Sequence, residues 1–198
     1  MIETIEQLEA LYGQPGPPSL VKVADHVTAE YRKYIEAAPF CALAAVGPEG
    51  LDCTPRGDEG QVVFIENEKT LALPDRRGNN RIDSLRNVVR DPRVSLMFLI
   101  PGSNTVIRVN GSGHIHADAA VLEKYATHGK QPRSVLLITI NELYFQCARA
   151  PMRAGLWSGT DAPDLPKPGQ ILAAMTENEV GGDKYDNEWL DRAKKSMW

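Results

Sequence analysis

Apolar and polar positions alternate with a period near two through the middle of the chain and with a helical period toward its ends. Ile5, Leu8 and Leu11 mark one face of a short helix over 3–12, which the Gly/Pro cluster at 13–18 breaks. A second helix is predicted over 19–38, with Val27 and Thr28 weakening its middle. Strands follow at 40–46, from 51 to 54, at 61–65, 70–73, 93–100, 105–117 and 134–147. Tight turns at 47–50, 66–69 and 101–104 join several of them. The run at 93–100 is almost continuously apolar, which predicts burial on both faces. Gly111 and Gly113 predict a bulge or tight bend in the long strand that holds them. Asp118 is predicted to cap a short helix through 128, and the proline-rich 161–169 leads into one or two C-terminal helices.

Links this short allow only antiparallel pairing, so a doubly wound α/β sheet is disfavoured. Six or seven strands with glycine bends favour a small closed barrel.

The stretch 70–90 carries the richest chemistry. An apolar strand runs into Pro74, a charged turn containing Gly78, and then an amphipathic helix with Ile82, Leu85 and Val88 at helical spacing. Asn79 or Asn80 would supply the N-cap, placing Arg81 in the first turn beside unpaired backbone N–H groups. Arg76, Arg77 and Arg81 are close enough in sequence to grip one phosphate. The competing reading is a solvated turn followed by an ordinary capped helix. Neither the three-glycine dinucleotide pattern nor a phosphate loop ending in Lys-Ser/Thr is present.

A net charge of −4 gives no basic field for nucleic acid. The longest apolar run, at 94–100, is too short for a bilayer, so no membrane partner is expected. The acidic, amphipathic N-terminus lacks a signal-peptide pattern, and Cys41, Cys53 and Cys147 form no Cys-x-x-Cys pair. We therefore expect a cytoplasmic protein with free thiols. His114 and His116 alternate on one strand face with Asp118 beyond them, which reads as a solvated face in preference to a metal site. Cys147 beside Arg149 reads as inert more readily than reactive.

The run 74–87 reads Pro-Asp-Arg-Arg-Gly-Asn-Asn-Arg-Ile-Asp-Ser-Leu-Arg-Asn. Thr54-Pro55-Arg56-Gly57-Asp58, Arg108-Val109-Asn110-Gly111 and Cys147-Ala148-Arg149-Ala150, with Arg153 and Leu156-Trp157 after it, accompany it. Through these residues the chain resembles the pyridoxamine 5′-phosphate oxidase-like, FMN-binding split-barrel family, in a bacterial subgroup of unassigned substrate. The resemblance implies a mainly β (α+β) fold: a six-stranded antiparallel split β-barrel of Greek-key type with flanking helices. It implies an N-terminal helical segment at 1–34, an FMN-binding domain at 35–160 and a helical tail at 161–198.

It further implies FMN as cofactor, with Asn79, Asn80 and Arg81 on the phosphate, Ser84 adding a hydroxyl, and Arg77 beside them. Pro74 and Asp75 would line the ribityl or ring edge, and Arg56 would reach in from the preceding strand. A homodimer would hold FMN at its interface, with Arg149, Arg153 and Trp157 as the wall from the second subunit. The expected activity is two-electron flavin oxidoreduction of a small organic substrate, with an electron donor that no residue identifies. No catalytic side chain is apparent. The chain lacks the terminal arginine and histidine of true pyridoxamine phosphate oxidases, since no histidine follows His128. Alternatives are a non-catalytic flavin carrier or redox sensor, or a split barrel that holds haem or deazaflavin.

Overall fold

Alternation and tight turns give the chain one antiparallel sheet, with helices at both ends and two between strands. The computed structural model describes residues 1–78, 80–159 and 164–197. The elements are α1 (Ile5–Tyr12), α2 (Pro17–Val21), α3 (Ala29–Ala37), β1 (Phe40–Gly47), β2 (Gly50–Gly57), β3 (Phe64–Asn67) and β4 (Thr70–Asp75). They continue with α4 (Asp83–Arg90), β5 (Arg93–Leu99), β6 (Val106–His116), α5 (Ala119–Lys124), β7 (Ser134–Gln146), α6 (Arg149–Ala154), α7 (Pro168–Met175) and α8 (Gly182–Ser196).

Among the described residues the sheet has seven strands in the order β2-β1-β5-β6-β7-β4-β3, one more than the expected six. Seven is the number the alternation itself predicts, and the strand expected at 61–65 is β3, whose four residues pair along β4 at the sheet edge. Every pairing is antiparallel. The sheet curls until β2 and β4 meet side chain to side chain, the architecture of a split barrel. Leu43, Leu71, Leu96, Phe98, Ile107, Ile138 and Leu143 fill its interior, each fully buried. Ile35 of α3 plugs the same core.

Three expectations need correction. The helix over 19–38 is two helices, α2 and α3, separated by an extended segment. Ala24 exchanges backbone hydrogen bonds with Leu143, and the Val27 N–H donates to Glu68, so the sheet captures this segment. Thr28 then restarts the helix by accepting from the Tyr31 N–H.

Burial on both faces belongs to β4 and not to β5. In β5, Val94, Leu96 and Phe98 point inward, while Arg93 and Met97 face out. In β4, Leu71 and Leu73 enter the main core, and Ala72 joins Tyr125 and Val135 in a second cluster beneath α5. Phe64 supports it, its ring 5.2 Å from that of Tyr125. The helix after Asp118 ends at Lys124, short of 128, and the Asp118 side chain makes no capping bond.

The glycine bulge lies where the sequence predicts it. The β6–β7 register shifts between Asn110 and Gly111. A Cβ at Gly111 would lie 2.2 Å from the Thr139 carbonyl oxygen, so only glycine permits this approach.

Candidate functional site

Ion pairs clasp the edge strand β2 to β4, next to the opposite edge of the curled sheet. Arg56 of β2 donates through Nη1 to Asp75 Oδ1 at the end of β4, and the two side chains are 9% and 5% exposed. Beside them, Arg76 Nε donates to Asp58 Oδ2 at 2.8 Å. Arg76 also donates from Nη1 to the Tyr125 carbonyl at 2.6 Å and from Nη2 to Thr127 Oγ1 at 3.0 Å. All three nitrogens of Arg76 are thus engaged, which removes it from the expected phosphate grip. Arg56 differs. Its Nε and Nη2 are buried and have no hydrogen-bond partner. A buried guanidinium with unmet donors is costly unless something accepts from it. Cys41, cross-strand from Arg56, is fully buried, and burial pushes its thiol up to about 12 against the pull of that arginine.

A cavity of about 340 Å³ opens over the clasp, lined by Thr54, Arg56, Val62, Pro74 and Arg77 among others. A second, also about 340 Å³, lies further along β2 and is lined by Glu49, Asp52, Arg81, Asp83, Arg86 and Arg90 among others. The two follow one another along β2. The five-residue step from Leu51 to Arg56 corresponds to ~17 Å at about 3.3 Å per residue.

The helix start differs from the expected cap. Asn80 precedes α4 by three residues, and Asn79 lies outside the described residues. The N-cap position is Ile82, in the left-handed region at φ 53°, with no side-chain capping bond. Arg81 therefore falls before the helix and not in its first turn. Its side chain is 90% exposed, and Nε donates to Asp83 Oδ2 at 2.7 Å, a contact that raises the Arg81 pKa. Asn80 Oδ1 accepts from Arg133 Nη1 at 3.2 Å. Ser84 is buried, 2% exposed. Asn87, on the inner face of α4, packs so closely on β1 that a Cβ at Gly47 would meet its Oδ1 at 2.1 Å.

Arg133 is the cation that sequence reasoning missed. The β4–β7 register puts Ser134 opposite Asp75, and the Arg133 N–H donates to the Asp75 carbonyl at 3.0 Å. Its only sequence signal is that it precedes a strand, which says nothing about the neighbour 53 positions back.

Arg149, Arg153 and Trp157 lie elsewhere. Ser134 of β7 meets the cradle end of β4, whereas Gln146 pairs with Val106. Thirteen residues of strand therefore separate α6 from the clasp, ~40 Å at about 3.3 Å per residue. Trp157 Nε1 donates to the Ser103 carbonyl at 2.7 Å, at the β5–β6 turn. Within one chain these three residues do not join the cradle.

Cys147 is exposed, and its pKa is lowered by a hydrogen bond from the Arg149 N–H. His116 Nδ1 is 3.7 Å from Asp118 Oδ2. Among the described residues no three His, Cys, Asp or Glu side chains are grouped to hold a metal, and no helix is long and apolar enough to cross a membrane.

The family model for pyridoxamine 5′-phosphate oxidase matches residues 27–147, which span β1 to β7 with both clasp pairs. The chain belongs to this family. Among solved structures, a Lactobacillus delbrueckii protein provisionally named as a pyridoxamine 5′-phosphate oxidase has the family's fold. It is 20% identical, with a TM-score of 0.50 over 61% of this chain and 95% of that one. HupZ from group A Streptococcus is 20% identical, with a TM-score of 0.49 over 69% of this chain and 99% of its own. An F420 reductase is 16% identical, with a TM-score of 0.42 over 61% of this chain and 98% of that one. A search of curated proteins gives no match. The family match stops at Cys147, so α6, α7 and α8 lie beyond it.

Proposed function

We propose that the chain is an FMN-dependent oxidoreductase that acts on a small organic substrate as a homodimer. The observation that carries this reading is Arg56: a guanidinium nine-tenths buried, with Nε and Nη2 unmatched, on the wall of the cavity over the clasp. A ring edge rich in hydrogen-bond acceptors would satisfy those donors. The second cavity lies further along β2, where Arg81, Arg86 and Arg90 share its wall with Glu49, Asp52 and Asp83. A planar head at the first cavity and an anionic tail toward the arginines of the second would span the two.

The residues present therefore fit FMN. Arg56, Pro74 and Arg77 would hold its ring end, with Asp75 fixing Arg56. Asn80 and Arg81, with Arg133 behind Asn80, would face the phosphate. Ser84 would act by supporting the first turn of α4 from within. Arg149, Arg153 and Trp157 would reach the site only from the partner subunit, because β7 holds them at its other end. The flavin supplies the two-electron chemistry, and the protein binds and orients it and excludes water.

The test is the visible spectrum of purified protein after FMN loading and removal of excess. Retained flavin bands, with turnover above that of free FMN when donors and acceptors are supplied, support the reading. Colourless protein overturns it. Retained flavin without turnover turns it into the carrier reading.

A further inference from the structure

The helices beyond the family match bring a pocket of their own to the cradle. A cavity of about 420 Å³ lies between Arg77 of the charged turn and Tyr185, Trp189, Arg192 and Met197 of the C-terminal segment. Arg77 also lines the clasp cavity together with Arg56, so the two cavities share a wall. In α8 the Arg192 guanidinium lies 4.5 Å from the centre of the Tyr185 ring. Its Nη2 donates to the Tyr185 carbonyl at 3.2 Å, and Nη1 pairs with Glu188 Oε2 at 3.9 Å. Those contacts fix the plane of the guanidinium at the pocket wall. Trp189 is half exposed there.

The helix that carries this pocket is itself anchored. The Gly169 N–H of α7 donates to Asp186 Oδ1 at 2.7 Å, and close packing at Gly181 joins the two helices. Two arginines beside two aromatic rings and a methionine make a specific chemistry. The rings stack a flat hydrophobic body, and guanidinium forks pair a carboxylate.

We propose that α8 forms a binding site for planar aromatic carboxylates, with the ring system against Trp189 and Tyr185 and the carboxylate toward Arg77 and Arg192. As an anion pocket it stands on these residues alone. As the substrate pocket of an oxidoreductase it rests on the flavin reading above.

Calorimetric titration of the full chain with 2-naphthoate and with the neutral 2-naphthamide, with FMN loaded and after its removal, tests the site. Saturable naphthoate binding is expected, with the amide at least tenfold weaker. Arg192→Gln and Trp189→Leu should each weaken naphthoate tenfold or more while circular dichroism and FMN retention stay as in the parent. In the FMN-loaded protein, naphthoate should also shift the flavin absorption bands. Absent binding, equal binding of acid and amide, or variants that bind like the parent would overturn the pocket. Saturable binding without a flavin shift would overturn its placement beside the cofactor. Protein that retains no FMN fails the flavin reading, yet the acid-against-amide titration still decides the α8 pocket.

Discussion

The clasp at Arg56, Asp58, Asp75 and Arg76 and the turn at 77–81 are built from the same residue types on adjoining stretches of chain. In the clasp, the paired side chains are 4–11% exposed and join the ends of β2 and β4, which lie far apart in the strand order of the sheet. In the turn, Arg81 is 90% exposed and pairs with its near neighbour Asp83. Arginine density therefore does not mark ligand contact. What separates the two is whether the fold has already supplied the acceptors: it has for Arg76, it has in part for Arg56, and for Arg81 it supplies a local one.

The comparison can be broken most sharply at Arg76. Arg76→Ala strands the buried Asp58 carboxylate, so unfolding free energy by chemical denaturation should fall by about 3–5 kcal/mol, the cost of breaking a buried pair from one side. A loss below 1 kcal/mol would show that Arg76 belongs with the turn. Arg81→Ala should do the reverse. FMN affinity by titration should fall by roughly 1.5–3 kcal/mol, the range for a hydrogen bond to a charged group, with thermal stability unchanged. Unaltered FMN affinity would remove Arg81 from the phosphate end.

Ile82→Gly comes next in size. A β-branched residue in the left-handed region costs ~1–2 kcal/mol, and glycine's freedom in the unfolded chain returns part of that, so a net gain of about 0.5–1 kcal/mol is expected. Destabilisation would mean that the Ile82 side chain supports the turn.

The smallest effect is kinetic and separates the thiols. Cys147, exposed and with a lowered pKa, should alkylate with iodoacetamide faster than Cys53, and its rate, which climbs with pH as thiolate forms, should reach its plateau at a lower pH than that of an ordinary thiol. Cys41, buried and pushed up to about 12, should stay unmodified until the protein unfolds.

The strands were legible because alternation and turn residues are local signals, and Gly111 carried the bulge with it. The double burial of β4 was not, because it depends on α5, which is distant in the sequence, to cover Ala72. The break at 22–28 was half legible: Val27 weakens a helix, but only Glu68 and Leu143 make the extended alternative worth adopting. The cradle was legible as a charged turn before a helix. Its cap was not, since asparagine at 79 or 80 is the better capping residue by propensity, yet the helix begins after Ile82. Arg76 and Arg133 show the same limit from opposite sides. One looked like a ligand contact and is held by Asp58, and the other looked like nothing and meets Asn80 through strand register.

The length of β7 has a genetic corollary. In the proposed dimer, the turn of one chain and the α6 wall of the other make up each site. A chain damaged at Arg81 and a chain damaged at Arg149 would each be inactive as homodimers. Co-expressed, they would assemble mixed pairs in which one site carries both lesions and the other carries neither, so two dead alleles would restore part of the activity that each had lost.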